Sequence, residues 1–237
     1  MAKQALAEFE RPLTTVDVAI FSVADEALQV LLVLRPEAPE EPFPGQWALP
    51  GGFVDVARDP DLRSCALRKL KEKTGLASPY LEQLGSWGGA RRDPRGWSAT
   101  HAYFALVSRE PLALKAGGNA PDARWFAVSG TGVPVRLAFD HAEILAAAVS
   151  RLRSKVEYTS LPAFVLPREF TLTELQRTYE IVLGRSLEKS AFRTRVLAAD
   201  LVRPVGRTRH GPNRPAQMYR LRNPREPVFF ARTFSPR

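Results

Sequence analysis

The chain has 237 residues, enough for one large domain or two small ones. Hydrophobic residues make up 45% and charged residues 25% of the chain, which excludes collagen-like, fibrous and disordered proteins. A single cysteine, Cys65, excludes a disulfide framework and a cysteine-ligated zinc site.

The sequence contains no visible signal for membrane insertion or for secretion. Its first residues contain no apolar segment typical of a signal peptide. No apolar run approaches the roughly 18 residues that a membrane-spanning helix needs. We therefore expect a cytoplasmic protein without a membrane partner.

The net charge of +9 is concentrated in the last third of the chain. Residues 1–160 carry 19 basic and 19 acidic residues, whereas residues 161–237 carry 15 basic and 6 acidic ones. Of those 15 basic residues 14 are arginine, whose guanidinium group suits bidentate contacts with phosphates and guanine edges. The charge pattern predicts a neutral domain followed by a domain that binds a polyanion.

Residues 1–158 combine predicted strands with two predicted helices, a pattern typical of an α/β sandwich. One helix is capped by Asp59 or Asp61 and runs to about Lys73, with Cys65 on its buried face. The other helix covers Asp140–Val156. Val-rich, Ile-rich or aromatic segments predict strands at Thr15–Phe21, Gln29–Arg35, His101–Val107 and Ala123–Val128.

Residues 159–237 predict a second domain of a different kind. A helix over Thr171–Leu183 has Leu172, Leu175, Tyr179 and Val182 spaced for one buried face, and a helix over Leu187–Ala199 buries Phe192 and Val196. Leu201–Arg209 and Gln217–Leu221 alternate like the two strands of a hairpin, with a sharp turn at residues 210–213. Two short helices followed by a basic hairpin predict a winged helix-turn-helix.

The segment Leu49–Leu76 (LPGGFVDVARDPDLRSCALRKLKEKTGL) resembles the Nudix box, the loop and helix of enzymes that hydrolyse nucleoside diphosphates linked to another group. The paired glycines, the apolar helix face, Arg68, Glu72 and Thr74-Gly75-Leu76 carry the resemblance. It implies a Nudix-type α/β/α sandwich for the first domain.

The residues that bind metal in the Nudix family are changed here. Where the family has three glutamates that hold Mg²⁺ or Mn²⁺, this chain has Lys69, Glu72 and Lys73. Two ammonium groups beside the site repel a divalent cation, so we expect no metal, no catalytic residue and no hydrolase activity. Two alternatives stay open: the lysines lie on an exposed helix face, or they contact a pyrophosphate in place of a metal. A metal set of Asp55, Asp59, Asp61 and Glu72 also stays open.

Further residues around the predicted cleft suggest that a ligand still binds. Arg92 and Arg95 lie on a Pro-Gly turn, where guanidinium groups can grip phosphate oxygens, and Trp47 is a candidate for stacking on a base. No nucleophile triad is visible, and the three histidines share no metal-ligand spacing. The predicted ligand-binding residues are Trp47, Gly51, Gly52, Lys69, Glu72, Lys73, Arg92 and Arg95.

The second helix of the predicted winged domain has the pattern of a recognition helix. Lys189 and Arg193 lie one turn apart, opposite the apolar side of that helix. Arg195 lies off that face and is expected to reach the DNA backbone. With the basic hairpin, the predicted DNA-binding set is Lys189, Arg193, Arg195, Arg203, Arg207, Arg209 and Arg214. Few aromatic residues accompany these cations, which favours duplex DNA over single-stranded RNA.

A degenerate Nudix box joined to a winged helix resembles the Nudix-related transcriptional regulators of NAD metabolism (NrtR family) of bacteria. RDPRGW at Arg92–Trp97, LAFDHAEIL at Leu137–Leu145 and GPNRPAQMYR at Gly211–Arg220 carry this resemblance. It implies a homodimeric repressor that binds palindromic operator DNA, has ADP-ribose or a related nucleotide as effector, and requires no cofactor. The alternative is an active ADP-ribose or nucleotide-sugar pyrophosphatase with an accessory nucleic-acid-binding domain.

Overall fold

The computed structural model describes residues 10–75, 80–108, 122–210, 215–231 and 234. No helix in these ranges is long and apolar enough to cross a membrane. The first part of the chain contains β1 (Leu13–Ala24), β2 (Ala27–Leu34), β3 (Trp47–Ala48), β4 (Gly51–Phe53), α1 (Leu62–Thr74), β5 (Tyr80–Gly89), β6 (Ser98–Leu106), β7 (Asp122–Ala127) and α2 (His141–Val156). The second part contains a 3₁₀ helix (Leu161–Val165), β8 (Phe170–Thr171), α3 (Leu172–Leu183), α4 (Lys189–Ala198), β9 (Val202–Arg209) and β10 (Ala216–Leu221).

The strands of the first part form a mixed sheet of seven strands within the described residues. The order along the sheet is β3-β2-β1-β6-β5, while β4 pairs with β1 and β7 pairs with β2. β1 and β6 run parallel, and the other pairings are antiparallel. The predicted strands are confirmed, but β3, β4 and β5 are additions: β3 and β4 have only two and three residues, and three glycines interrupt the strand pattern of β5.

The two helices of the first part cover opposite faces of this sheet. α1 packs Cys65 and Leu70 against Val18 on one face. On the other face α2 packs Ile144 against Phe21 in a separate core cluster. Because both faces of β1 are covered, its residues from Thr15 to Ser22 are all buried, and most of them are apolar. The predicted α/β/α sandwich is confirmed.

The structure shows which of the two predicted aspartates caps α1. The side chain of Asp61 accepts a hydrogen bond from Ser64 N at 2.6 Å and caps the helix. Asp59 does not cap α1, because its carboxylate is bound by Arg68. At the other end Gly75 takes a left-handed conformation (φ 71°), which glycine adopts without the steric penalty of a side chain.

The second part folds as the predicted winged helix-turn-helix. β8, β10 and β9 form a three-stranded sheet, in which β8 is an addition to the predicted hairpin. α3 begins with a reciprocal capping box between Thr171 and Glu174 and buries Leu175 and Tyr179 as predicted. α4 starts two residues later than predicted, because the Glu188 side chain accepts hydrogen bonds from the first turn and acts as its cap.

The two parts share one continuous apolar core. Residues of α2, α3 and α4 belong to the same buried cluster, and Tyr179 Oη donates a 2.8 Å hydrogen bond to Thr159 O in the connection after α2. Two ion pairs also cross the junction: Arg177 of α3 with Glu26, and Arg185 with Glu157 at 2.9 and 3.0 Å. The domain boundary at residues 158 and 159 stays a prediction.

Candidate functional site

An open cavity of about 770 Å³ lies beside the central sheet. It is bounded by the loop that contains Gly51 and Gly52 (the glycine loop), by α1 and by the start of α2. This volume lies within the range of about 300–1,000 Å³ that is typical of small-molecule and cofactor sites. Seven of the eight predicted ligand-binding residues line it: Gly51, Gly52, Lys69, Glu72, Lys73, Arg92 and Arg95.

Trp47 is placed elsewhere, and its prediction as a base-stacking residue is corrected by the structure. Its ring contacts Phe126 edge-on, with centroids 4.8 Å apart, and the guanidinium of Arg124 lies 5.7 Å from its ring. Trp47 packs against the core cluster below α2 and does not line the cavity. It is a packing residue of β3.

The glycine loop leaves no space for side chains. A Cβ at Gly51 would lie 2.0 Å from Asp17 Oδ1 and 2.6 Å from Val16 O. Gly52 has a φ of +141°, and a Cβ there would lie 2.9 Å from the amine of Lys69. Gly51 is required by its close approach to the backbone of β1, and Gly52 by its positive φ, since the Lys69 amine could move aside.

Both lysines of the altered Nudix box face the cavity. Lys73 is only 9% exposed, and its burial lowers the pKa of the amine, although neighbouring Glu72 raises it and Lys69 lowers it further. The exposed-face interpretation is therefore wrong for Lys73. Glu72 accepts a hydrogen bond from Arg68 at 3.1 Å and lies 3.8 Å from Arg58. The carboxylate of Glu72, which adjoins Lys73 in the chain, is thus already paired with two guanidinium groups.

Each carboxylate considered as a metal ligand is already engaged by donors of the protein itself. Asp59 accepts two hydrogen bonds from Arg68, at 2.7 and 2.5 Å, and Asp61 caps α1. Asp55 accepts from Ala57 N at 3.0 Å. Within the described ranges no group of three His, Cys, Asp or Glu side chains is arranged to hold a metal ion. The donors around this cavity do not fit a divalent cation.

The two predicted phosphate-binding arginines are held by carboxylates. Arg92 is almost completely buried and donates to Asp140 at 2.9 and 2.7 Å, directly before α2. Arg95 donates to Asp93 at 3.0 and 2.8 Å. Since a carboxylate and a phosphate present similar pairs of oxygens, both guanidinium groups are already oriented for bidentate contacts.

Asp17 and His141 are site residues that the sequence pattern did not single out. His141 Nδ1 accepts a 2.9 Å hydrogen bond from Leu49 N, so its Nε2 faces Asp17 at 3.5 Å. Burial raises the pKa of Asp17, but His141, a 2.7 Å hydrogen bond from Thr100 and Arg92 together lower it below its usual value. A charged residue inside the apolar run TVDVAIF was the available signal.

Phe53 and Phe139 supply the aromatic surfaces of the cavity. Phe53 is 44% exposed, with the guanidinium of Arg95 5.0 Å from its ring. Phe139 has a left-handed φ of 54°, and the guanidinium of Arg35 lies 4.8 Å from its ring. Such a conformation strains a bulky residue and is concentrated at binding sites. Both rings stand in irregular or very short segments, where periodicity gives no signal.

The winged part presents a second charged surface. Arg203, Arg207 and Arg209 are exposed along β9, and Lys189 is exposed at the start of α4. Arg193 is half-buried on the same helix, where its Nη2 lies 3.5 Å from Thr173 Oγ1. We call Lys189, Arg193, Arg203, Arg207 and Arg209 the basic face.

Acidic residues next to the wing hold two of these arginines. Arg207 donates to both carboxylate oxygens of Glu169, at 2.6 and 2.7 Å. Arg209 pairs with Glu174, the residue that completes the capping box of α3. The wing is thereby tied to the start of α3, and its guanidinium groups are held at the surface.

Two members of the predicted DNA-binding set, Arg195 and Arg214, are not part of the basic face. Arg195 is half-buried, and its guanidinium lies 4.2 Å from the ring of Phe234. It packs toward the C-terminal segment, which differs from the predicted reach to a DNA backbone. Arg214 and the wing tip at residues 211–214 lie outside the described residues.

Comparison with known proteins identifies both parts. Residues 13–148 match the model of the NUDIX domain, and residues 162–221 match that of the NrtR DNA-binding winged helix domain. A protein of Acinetobacter baylyi named "ADPR responsive transcriptional repressor NtrR" is 46% identical over 93% of this chain and 86% of its own length. The chain belongs to the NrtR family.

Solved structures of the family agree with this assignment. NrtR of Shewanella oneidensis in complex with a 27mer DNA is 38% identical, with a TM-score of 0.83 over 93% of this chain and 98% of its own. The NUDIX domain of that NrtR, in complex with ADP ribose, is 39% identical with a TM-score of 0.55 over 64% of this chain and 99% of its own. An ADP-ribose pyrophosphatase of Methanocaldococcus jannaschii is 33% identical over 54% of this chain and 70% of its own length.

Proposed function

We propose that this chain is a DNA-binding transcriptional repressor of NAD biosynthesis or salvage genes. ADP-ribose or a related NAD-derived nucleotide binds its Nudix domain and changes its affinity for operator DNA. The observation that carries the proposal is the presence, in one chain, of a cationic cavity of about 770 Å³ and an arginine-rich winged helix. The names of the Acinetobacter relative and of the Shewanella structures support it.

The cavity is suited to bind a pyrophosphate and poorly suited to cleave one. Lys69 and Lys73 place two ammonium groups where the family's hydrolases hold metal ions, so they supply the counter-charge themselves. Glu72 is paired with Arg68 and Arg58, and this removes the carboxylate best placed to activate water. The site therefore binds and releases the nucleotide unchanged.

α2 connects the cavity to the winged helix. Asp140 and His141, at its beginning, contact or line the cavity, and its last residues lead into the second domain. A ligand phosphate that draws Arg92 away from Asp140 changes the contacts of the first turn of α2. The ligand shifts operator affinity only by the difference between its affinities for the two arrangements, about 1–3 kcal/mol for a typical effector.

The DNA-bound form is a homodimer on a palindromic operator. Two recognition helices, one from each copy, enter major grooves one helical turn apart, with α4 reading bases and the wing contacting phosphates. The exposed arginines Arg203, Arg207 and Arg209 fit the phosphate-contacting role. The protein acts at the bacterial nucleoid, in the cytoplasm.

Titration of a labelled DNA duplex tests this function. The duplex carries the region upstream of the protein's own gene, and a scrambled duplex serves as control. We expect tighter binding to the upstream duplex and a shift of its dissociation constant when ADP-ribose is saturating. An unmoved titration curve would contradict the effector role.

A pyrophosphatase with an accessory DNA-binding domain is the second candidate, because the Methanocaldococcus relative is named as that enzyme. The two candidates differ in turnover. With Mg²⁺ or Mn²⁺ and ADP-ribose, the enzyme releases AMP over many cycles, whereas the repressor leaves the nucleotide intact.

A further inference from the structure

The C-terminal segment folds back over the junction between the two domains. Ser160 N donates to Val228 O at 3.0 Å, and Val228 N donates in return to Ser160 Oγ at 2.8 Å. Phe230 N donates to Tyr158 O at 2.8 Å. We call Val228–Ala231 together with Phe234 the tail. Its backbone is therefore fastened to the connection that follows α2.

Phe234 reaches from that connection to the recognition helix. Its N–H donates to Glu157 O at 3.0 Å, immediately after α2. Its ring centroid lies 5.2 Å from that of Tyr179 in α3 and 5.8 Å from that of Phe192 in α4, and the guanidinium of Arg195 lies 4.2 Å above it. One residue thus contacts the end of α2, α3 and two positions of α4.

α4 also contacts α3 directly: the ring centroid of Phe192 lies 5.1 Å from that of Tyr179, and Arg193 Nη2 lies 3.5 Å from Thr173 Oγ1. α4 is a ten-residue helix that buries Phe192 and Val196, and a helix this short depends on packing for its stability. Phe234 supports one of these two buried residues and also the neighbouring Arg195. Loss of the Phe234 ring therefore removes contacts with two positions of α4.

The contacts described above run from α4 through Phe234 to the end of α2, and the start of α2 lies at the cavity. α2 has 16 residues, so at 1.5 Å per residue it spans about 24 Å from His141, which lines the cavity, to the end that the tail contacts. A displacement of α2 would reach the tail through the two hydrogen bonds that Glu157 O and Tyr158 O accept from its backbone.

We propose that Phe234 is a positioning residue for DNA recognition, which fixes α4 relative to the end of α2. Through this contact the tail carries a change at the ligand cavity to the recognition helix. The second statement rests on the proposed function, whereas the first does not.

Hydrogen exchange of the full-length protein without ligand or DNA tests the positioning role. Phe234→Leu keeps apolar volume but removes the ring, and Phe229→Leu is the matched control because Phe229 lies in the same tail with 63% of its surface exposed. We expect the amides of α4 to exchange about tenfold faster in Phe234→Leu, with α1 unchanged and the control like the wild type. Equal protection of α4 in all three proteins would overturn the proposal.

The response to ligand provides a readout that a general loss of packing would not move. In the wild type, ADP-ribose is expected to change the dissociation constant of the upstream duplex by about 5- to 150-fold. In Phe234→Leu this ratio should fall toward one, while calorimetry shows unchanged affinity for ADP-ribose, and Phe234→Tyr should restore it. Weaker DNA binding with an unaltered ratio would overturn the transmission role.

The two proposals fail in different ways. If the wild type does not respond to ADP-ribose, the proposed effector function is wrong, and the transmission role falls with it. The exchange rates of α4 still decide whether Phe234 positions that helix.

Discussion

Asp140 accepts two hydrogen bonds from Arg92, at 2.9 and 2.7 Å, directly before the first residue of α2. The same guanidinium lies 3.8 Å from Asp17, so it stands between the sheet and the helix. A bound phosphate offers Arg92 the bidentate geometry that Asp140 now supplies. In the proposed function, the ligand phosphate and the start of α2 therefore compete for the side chain of Arg92.

Arg92→Lys tests this competition. Lysine keeps the charge but lacks the planar fork, so we expect the affinity for ADP-ribose to fall about tenfold, or 1.4 kcal/mol. The exposed neighbour Arg91 provides the control Arg91→Lys, which should bind like the wild type. Calorimetric titration without metal measures both. Equal losses in the two variants would remove Arg92 from the ligand site.

Reversing the charges of the altered Nudix box should restore its need for metal. In Lys69→Glu/Lys73→Glu we expect binding of ADP-ribose in EDTA to weaken roughly hundredfold and to recover in part with Mg²⁺. Lys71→Glu, an exposed position on the same helix, is the control. The quantity compared is the dissociation constant in EDTA and in Mg²⁺. Metal-independent binding by the double variant would show that the lysines do not replace a cation.

Arg193 is expected to read base edges. Arg193→Ala should cost about 1–3 kcal/mol of operator binding and relax the preference at the base pair it contacts. Competition between operator duplexes with single substitutions, at constant salt, measures that preference. A uniform loss over all duplexes would instead place this side chain on the phosphate backbone.

Arg207 is expected to contact phosphate. Its replacement by Ala should weaken binding to operator and scrambled duplexes alike, and should lower the slope of log K against log salt by about one unit. Glu169→Gln, which removes the charge that now holds Arg207, should strengthen binding to both duplexes. If neither variant alters the salt slope, the wing does not contact the backbone at this position.

The ion pair of Asp59 and Arg68 makes stability depend on pH. Hydrogen bonds from Arg68 hold the pKa of Asp59 well below its usual range; burial opposes this, and a hydrogen bond from Asp55 N adds to it. Because the folded pKa lies below the unfolded value of about 3.9, the stabilisation is complete above about pH 5 and is lost as the pH falls below about 4.

Asp59→Asn should therefore lower the free energy of unfolding by roughly 3 kcal/mol at pH 7, since it leaves Arg68 without its buried partner. The difference from the wild type should shrink near pH 3. Asp122→Asn removes the charge from a more exposed pair with Arg124, and should change stability by less than about 0.5 kcal/mol. Urea unfolding at both pH values checks these outcomes.

The regular elements were predictable because their signals are local. The buried face of α3 follows from the spacing of Leu175, Tyr179 and Val182, and its end follows from Gly184. The arginine-rich composition after residue 160 is a property of the sequence alone, and it suffices to predict a polyanion-binding second domain.

The parts that were mispredicted depend on contacts distant in sequence. Trp47 faces the core because β3 pairs with β2, and a two-residue strand carries no alternation to reveal its orientation. Arg195 was assigned to DNA from its helical position alone, whereas its neighbour Phe234 lies 39 residues further along the chain. Asp17 and His141 meet only because β1 and α2 pack side by side.

Arg177 and Arg185 join the winged part to two different places on the Nudix domain, Glu26 and Glu157. Arg177 lies within α3, whereas Arg185 follows the glycine that ends this helix. Both pairs supplement the continuous apolar core and the hydrogen bond from Tyr179 to Thr159, which already hold the winged part on the Nudix domain. Because the two pairs are partly exposed, salt screens them while the apolar core stays in place, so the two parts should remain joined at high ionic strength.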